Sequence, residues 1–291
     1  MCQPEIQKSV KIDLHSHTYF SDGQLSPTEL VQRAHNMQVD VLAITDHDTI
    51  AGLREAHDYQ QTQKRALTII NGVEISTEWH GFDIHVVGLN VDCEAPAFTA
   101  FLAAQAARRR HRAEKIAEKL TKCGFAGVLE RAIRLAGPGQ LTRAHFARVL
   151  VNNYGVNSMD SAFKKYLGKG KRAAVKAVWP AMSEAIDVIT QAGGQAVLAH
   201  PAHYDMTAKW LRRLVDDFAQ AGGHAIEAAC PGMAAQKREL VYELVKDHQL
   251  TASAGSDFHF PSRWTELGRN LGLADGLTPV WHDWTMLHSH R

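Results

Sequence analysis

The stretch IDLHSHTYFSDG, residues 12–23, sets His15 and His17 two positions apart just beyond a short apolar run, with Asp22 close behind. Residues two apart on an extended strand point to the same face, so both imidazoles are directed to one side. A core histidine needs one partner, whereas a metal needs several nitrogen and oxygen donors converging. The rest of the chain offers them. TDHD supplies Asp46, His47 and Asp48, NGVEIS supplies Glu74, and DIHVVG supplies His85. LAHP adds His200, and GSDFH adds Asp257 and His259. In parallel α/β architectures functional groups collect where strands end, so these donors are expected to meet at one edge.

Imidazoles with several carboxylates and no thiolate suit zinc, manganese or iron, and the number of carboxylates allows more than one ion. Adjacent divalent ions meet the demands of phosphate-ester cleavage. They lower the pKa of a bound water, neutralise phosphoryl oxygens and align nucleophile with leaving group. A single-metal amide hydrolase would need fewer ligands. A structural metal is normally closed by four, which weighs against a non-enzymatic, metal-containing nucleic-acid-binding protein.

The elements that position these donors alternate. VKIDLH, VDVLAITDHD, ALTIINGVEISTE and GFDIHVVGLNV read as strands in the first part of the chain. Helical patterns separate the earlier ones, and SPTELVQRAHNMQ carries its own start signal, with Ser26 as N-cap, Pro27 at the first position and Glu29 at the third. From about Pro96 the pattern is helical for some eighty residues. After Trp179 the alternation resumes through QAVLAHP, HAIEAA and TASAGSDFH. Repeated β/α units predict a parallel sheet, open or closed into a barrel. Residues 1–95 and 180–291 are expected to form it and 96–179 an inserted helical subdomain, with an irregular Gly- and Trp-rich end.

Charge divides along the same line. The whole chain is near neutral at +1, but residues 100–180 hold 17 Lys plus Arg against 4 Asp plus Glu, leaving 15 basic and 27 acidic residues elsewhere. An acidic, cation-binding part is thus joined to a basic, anion-binding part. Cys2, Cys93, Cys123 and Cys230 have no paired spacing, which fits a reducing cytoplasm rather than a disulfide framework. The N-terminus has no apolar core of a secretory signal, and no apolar run is long enough for a transmembrane helix.

The ordered set HSH…SDG, ITDHD, GVEIS, the histidine of DIHVVG, LAHP and GSDFH resembles the PHP (polymerase and histidinol phosphatase) family over nearly the whole chain. Within it the sequence is similar to the branch with a helical insertion, whose members include 3′,5′-nucleoside bisphosphate phosphatases and enzymes that trim short RNA. The resemblance implies a distorted (β/α)7 barrel with two to three divalent ions, manganese foremost and zinc or iron as alternatives. By position it implies that His15, His17, Glu74 and Asp257 hold one ion, that Glu74 bridges to a second held by His85 and His200, and that Asp22, His47 and His259 hold a third. Catalysis through these nine residues would be attack by metal-bound hydroxide on the 3′-phosphorus of a nucleoside 3′,5′-bisphosphate such as adenosine 3′,5′-bisphosphate. Asp46 and Asp48 are left to support or cap, with Asp46 the better placed to orient a ligand histidine.

The basic insertion is where a second phosphate would be read. Arg143 and His145 open a helix in LTRAHFARVL, where backbone N–H groups also favour an anion. Lys164, Lys165, Lys171 and Arg172 cluster around FKKYLGKGKR, and Tyr166 or Trp179 could stack on a base. The alternative is 5′-to-3′ exoribonuclease action on short 5′-phosphorylated RNA with the same donors. A histidinol-phosphate type of monophosphatase would not need so much positive charge. No membrane and no obligate protein partner is expected.

Overall fold

The computed structural model describes residues 10–285, so Cys2 lies outside the described residues. Seven strands follow one another around a sheet in sequence order: β1 (Ile12–Asp13), β2 (Val41–Ile44), β3 (Thr68–Trp79), β4 (Phe82–Leu89), β5 (Gln195–Leu198), β6 (Ala225–Ala229) and β7 (Thr251–Ala254). The ends nearly close. Leu14 N–H donates to Ala254 C=O at 2.9 Å, and Ser16 bridges to Phe258 in parallel. The result is a distorted seven-stranded β/α barrel with an inserted helical segment.

Strand direction departs from the parallel expectation at one place. The β1–β2, β2–β3, β5–β6 and β6–β7 pairs are parallel, but β4 runs antiparallel to both β3 and β5. The reason is local. Only His80 and Gly81, both at positive φ, separate Trp79 from Phe82. A two-residue turn of that kind joins antiparallel neighbours, since parallel ones need a long crossover. Hence the functional edge meets β4 near its beginning, where His85 lies opposite Ser76.

Helices α1 (Pro27–Asn36) and α2 (Leu53–Gln61) cover the early strands; α7 (Met182–Gln191), α8 (Ala208–Gln220) and α9 (Ala235–Asp247) cover the later ones. The α1 start is a capping box as its sequence implies, with Ser26 Oγ accepting from Glu29 N–H and Glu29 accepting from Ser26 N–H. Inside the barrel, Leu14, Ala43, Val87 and Val197 pack with Val280 and Trp284 of the irregular C-terminal segment. Trp284 Nε1 donates to Gln195 Oε1 at 2.7 Å, so this segment stoppers the N-terminal end of the barrel.

Between β4 and β5 stand α3 (Pro96–Lys122), α4 (Val128–Ala136), α5 (Arg143–Tyr154) and the short α6 (Met159–Ala162), which runs on into a π-turn at Phe163–Leu167. Phe98 and Leu102 at the start of α3 belong to the barrel's core, whereas Ala113, Ile116 and Leu120 join Phe146 and Leu150 in a separate apolar cluster. One unbroken helix thus leaves the barrel wall and becomes the spine of the insertion.

Candidate metal centre

All nine donors meet at the mouth formed by the C-terminal ends of the parallel strands, with Glu74 of β3 in the middle. Its Oε1 lies 2.8 Å from His85 Nδ1 and 2.9 Å from His200 Nε2. Its Oε2 lies 3.0 Å from His47 Nδ1, 3.3 Å from His17 Nε2 and 3.4 Å from His15 Nε2. Asp257 Oδ1 stands 3.1 Å from His17 Nε2 and 3.5 Å from His15 Nε2. Asp22 Oδ1 faces His259 Nε2 at 3.2 Å and His47 Nε2 at 3.7 Å.

The donor atoms fit divalent ions better than they fit one another. Three sets place one atom from every member within 4.8 Å: His17, Asp22, His47 and His259; His15, His17 and Asp257; and His47, Glu74 and His85. Yet His15 Nε2, Asp22 Oδ1, His47 Nδ1 and Glu74 Oε2 are buried without a hydrogen-bond partner. Even the 3.0 Å approach of His47 to Glu74 lacks hydrogen-bond geometry. Orphaned buried polar atoms are rare in folded proteins, and four among these donors fit a site that divalent ions would complete. The sets differ from the expected grouping in three ways: His17 stands with Asp22, His47 and His259 as well as with His15 and Asp257, Glu74 is absent from the set of His15 and Asp257, and His47 rather than His200 joins Glu74 and His85.

Electrostatics keep the carboxylates ionised. Burial alone would raise the pKa of Glu74, but His47, His85 and His15 hold it well below the ordinary range. Asp22 and Asp257 are also driven down against burial, chiefly by His47 and His259 for the former and His15 and His259 for the latter. His259 is pushed up to about 10 because Asp22 and Asp257 outweigh its burial. His17 goes to about 3, through burial and then the neighbouring His259.

Asp46 and Asp48 both support the site, but the acid that orients a ligand histidine is Glu227 rather than Asp46. Glu227 in β6 accepts from His200 N–H at 2.6 Å and faces His15 Nδ1 at 3.1 Å. It orients the His15 ring as outer partners of ligand histidines do. Nothing in HAIEAA marks Glu227 except an acid inside a strand that is otherwise apolar, and that strand is buried throughout. Gly255 of the following segment makes room, since a Cβ there would collide with His15 Cβ and Glu227 Oε1. Asp46 touches no histidine. It accepts from Thr18 N–H at 2.7 Å and Ser21 Oγ at 2.6 Å, fixing the loop that carries Asp22. Asp48 is buried and accepts from Arg109 Nε at 2.6 Å, Gln105 Nε2 at 2.8 Å and Ser76 N–H at 2.9 Å, which fastens α3 to the mouth.

The proposed phosphate readers separate into three groups. Arg143 is the first residue of α5 and lines a cavity of about 640 Å³ with Asp83, Arg112, Lys119, Lys169 and Lys171. Burial, partly offset by Asp83, lowers the pKa of Arg143; burial and the nearby Arg143 bring Arg112 down to about 10. His145 is instead a cap: its Nδ1 accepts from Thr142 N–H at 3.1 Å, and burial pushes its pKa to about 4. Lys164, Lys165 and Arg172 are exposed and stand outside the cavity lining. Trp179 is buried, with Arg109 and Arg112 over its ring at 5.2 and 5.5 Å, and Tyr166 packs edge-on to Phe125. Trp179 offers no open face for a base, and Tyr166 is partly buried against the insertion's apolar cluster. Arg148 ties α5 to the mouth by donating to Asp22 C=O.

The PHP domain family model matches residues 13–190. The chain is 49% identical over 276 residues to the 5′-3′ exoribonuclease Rnm of Escherichia coli, covering 95% of this chain and 94% of that protein. It is 39% identical over 270 residues to a 3′,5′-nucleoside bisphosphate phosphatase of Chromobacterium violaceum, covering 92% and 93%. Among solved structures, an amidohydrolase from C. violaceum with bound sulfate superposes with a TM-score of 0.86 at 38% identity, over 94% and 95% of the two chains. Taken with the donor geometry, these matches make the chain a member of the PHP domain family, among relatives that hydrolyse phosphoesters.

Proposed function

We propose that the protein is a metal-dependent phosphoester hydrolase that breaks the 3′-O–P bond of a nucleotide held by its 5′-phosphate. With a nucleoside 3′,5′-bisphosphate the products are the nucleoside 5′-monophosphate and inorganic phosphate. The observation that carries this reading is the pairing of two sites at one mouth. A cluster of ionised carboxylates and imidazoles lies beside a cavity lined by Arg143 and Arg112, where Asp83 is the one acid in the lining and Asp22 of the cluster also acts on Arg143. Two arginines crowded together lose stabilisation that a dianionic phosphate would restore through bidentate contacts.

Divalent ions held by the nine donors, with manganese our first choice, would activate water and neutralise the phosphoryl oxygens. The chain's own part is to hold the geometry. Glu227 fixes the His15 ring and the His200 backbone, Asp46 fixes the loop bearing Asp22, and Arg148 anchors α5 to that loop. Arg143 and Arg112 would fix the distance from the 5′-phosphate to the reacting phosphorus. Among the described residues no helix is long and apolar enough to cross a membrane, and Cys93, Cys123 and Cys230 are free thiols; we place the enzyme in the cytoplasm, acting on small nucleotides.

A second reading follows from the same bond. Cleaving 3′-O–P when the phosphate continues into an RNA chain releases a nucleoside 5′-monophosphate and a shortened RNA with a new 5′-phosphate. The 49% identity to an exoribonuclease favours it. The deciding assay offers manganese-loaded protein adenosine 3′,5′-bisphosphate, adenosine 3′-monophosphate and a 5′-phosphorylated short RNA. Preference for the two 5′-phosphorylated substrates over the monophosphate is expected, and Arg143→Ala should raise their KM by roughly tenfold, the scale of one charge-assisted hydrogen bond. Indifference to the 5′-phosphate would overturn the role given to the insertion.

A further inference from the structure

The rim formed by the ends of β6 and β7 carries groups that the reaction above does not use. Directly after His259 the chain passes through Phe260, Arg263 and Trp264 to Arg269 without helix or strand. Phe260 is 44% exposed and Trp264 73%, and the Trp264 indole also lines a cavity below. The turn presents the indole rather than leaving it loose. Ser262 Oγ accepts from Trp264 N–H at 3.1 Å and Thr265 N–H at 2.9 Å, and Arg269 donates to Arg263 C=O at 3.2 Å. The Arg263 guanidinium lies 4.6 Å from the Trp264 ring centre.

Beneath this turn is a cavity of about 270 Å³ lined by residues that include Cys230, Met233, Arg238, Tyr242, Trp264 and Arg269. Arginine ion pairs among the described residues engage Arg33, Arg54, Arg65, Arg109 and Arg212, so Arg238 and Arg263 have no carboxylate partner there. The cavity adjoins the metal donors. Cys230 directly follows β6, the strand of Glu227, and its Sγ is 3.8 Å from His203 Nε2. The His203 ring in turn stacks on His200 at 6.1 Å.

We propose that this groove binds the 3′ portion of a single-stranded RNA whose scissile phosphate lies at the metal donors. The inference rests on the reading that the site breaks 3′-O–P bonds. Aromatic faces stack on any base, and unpaired arginines meet successive backbone phosphates, the combination that binds single strands without sequence preference. The arrangement also gives the strand a direction. Its 5′-phosphate sits at the insertion beside β4, its second nucleotide passes His200 and His259, and its remainder crosses Trp264 and Arg238. A nucleoside bisphosphate ends at the scissile phosphate and never reaches the groove.

The test is the dependence of KM on chain length, measured for adenosine 3′,5′-bisphosphate and for 5′-phosphorylated RNAs of two, four and eight nucleotides. Trp264→Ala should raise KM for the longer RNAs by about tenfold, within the range found for loss of one stacked base, while the bisphosphate stays as in wild type. Trp264→Phe, which keeps a stacking face, should recover most of the loss. Arg238→Ala with Arg263→Ala should flatten the salt dependence of KM for the eight-nucleotide RNA alone. Equal effects at every length, or none, would overturn the groove. Should the wild-type protein cleave no phosphoester, the catalytic reading fails, and fluorescence anisotropy with a labelled eight-nucleotide RNA still decides the groove. Weaker binding by Trp264→Ala supports it; identical affinities overturn it.

Discussion

The barrel mouth and the inserted helices hold their charges in opposite ways. At the mouth, Asp22, Glu74 and Asp257 face only histidines, and no lysine or arginine side chain pairs with them among the described residues. In the insertion, Arg112 and Arg143 crowd each other beside a cavity with one acid, Asp83, in its lining. At the mouth Glu74 and His85 sit on strands and the other donors on the segments that follow strands, with Asp46 holding the loop of Asp22. The insertion has its own apolar core, tied to the mouth by α3 and by Arg148. On the proposed reading, cation capture belongs to the barrel and anion capture to the insertion, and the substrate brings a reacting phosphate and a second phosphate to both.

The sharpest way to break this division is to remove a donor from the mouth. Asp257→Asn or His17→Ala should lower kcat/KM by roughly a hundred- to a thousandfold, the scale of losing a group that stabilises developing charge directly, with metal content falling in parallel. Near-normal turnover in fully metal-loaded variants would sink the site assignment. Next in size is the joint between the regions. Arg109→Met strands the buried Asp48 carboxylate, which costs about 3–5 kcal/mol when one partner of a buried pair is lost; urea denaturation measures it. A loss below about 1 kcal/mol would mean water reaches Asp48 and the joint is superficial. Smaller again is Glu227→Gln, which should weaken metal affinity or activity by about 10–100-fold, read by metal titration beside kinetics.

How far the molecule can be read from its sequence differs between the two regions for a physical reason. A strand displays its chemistry at its end, so HSH, TDHD, LAHP and GSDFH announce their donors without any knowledge of neighbours. The barrel follows from the alternation, but the reversal of β4 rests on the two residues between Trp79 and Phe82, a hairpin signal easily passed over among longer repeats. Glu227 escapes because one acid in a short strand looks like a solvent-facing position until the strand is known to be buried. On the helices the face is undetermined. Lys164, Lys165 and Arg172 look equivalent to Lys171 in the sequence, and only the fold turns Lys171 toward Arg143. Tyr166 and Trp179 are apolar enough to stack on a base or to fill a core, and packing assigns them to the latter.

The smallest effect tests whether His145 belongs to the insertion's charge or to its framework. In the folded protein burial holds its pKa near 4, against an ordinary 6.5, with Nδ1 accepting from Thr142. The unfolded chain therefore binds a proton below about pH 6.5 that the folded protein refuses, and stability falls as pH drops from 6.5 toward 4. Between pH 6.5 and 5.5 this contribution is about 1 kcal/mol. His145→Gln keeps a side-chain acceptor at the third helical position but cannot titrate, so its unfolding free energy should fall by about that much less over the same interval. Parallel losses in urea denaturation at the two pH values would mean that His145 is protonated in the fold. It would then count with Arg143 as a cation of the phosphate cavity, and the boundary between framework and charge in α5 would move inward by two residues.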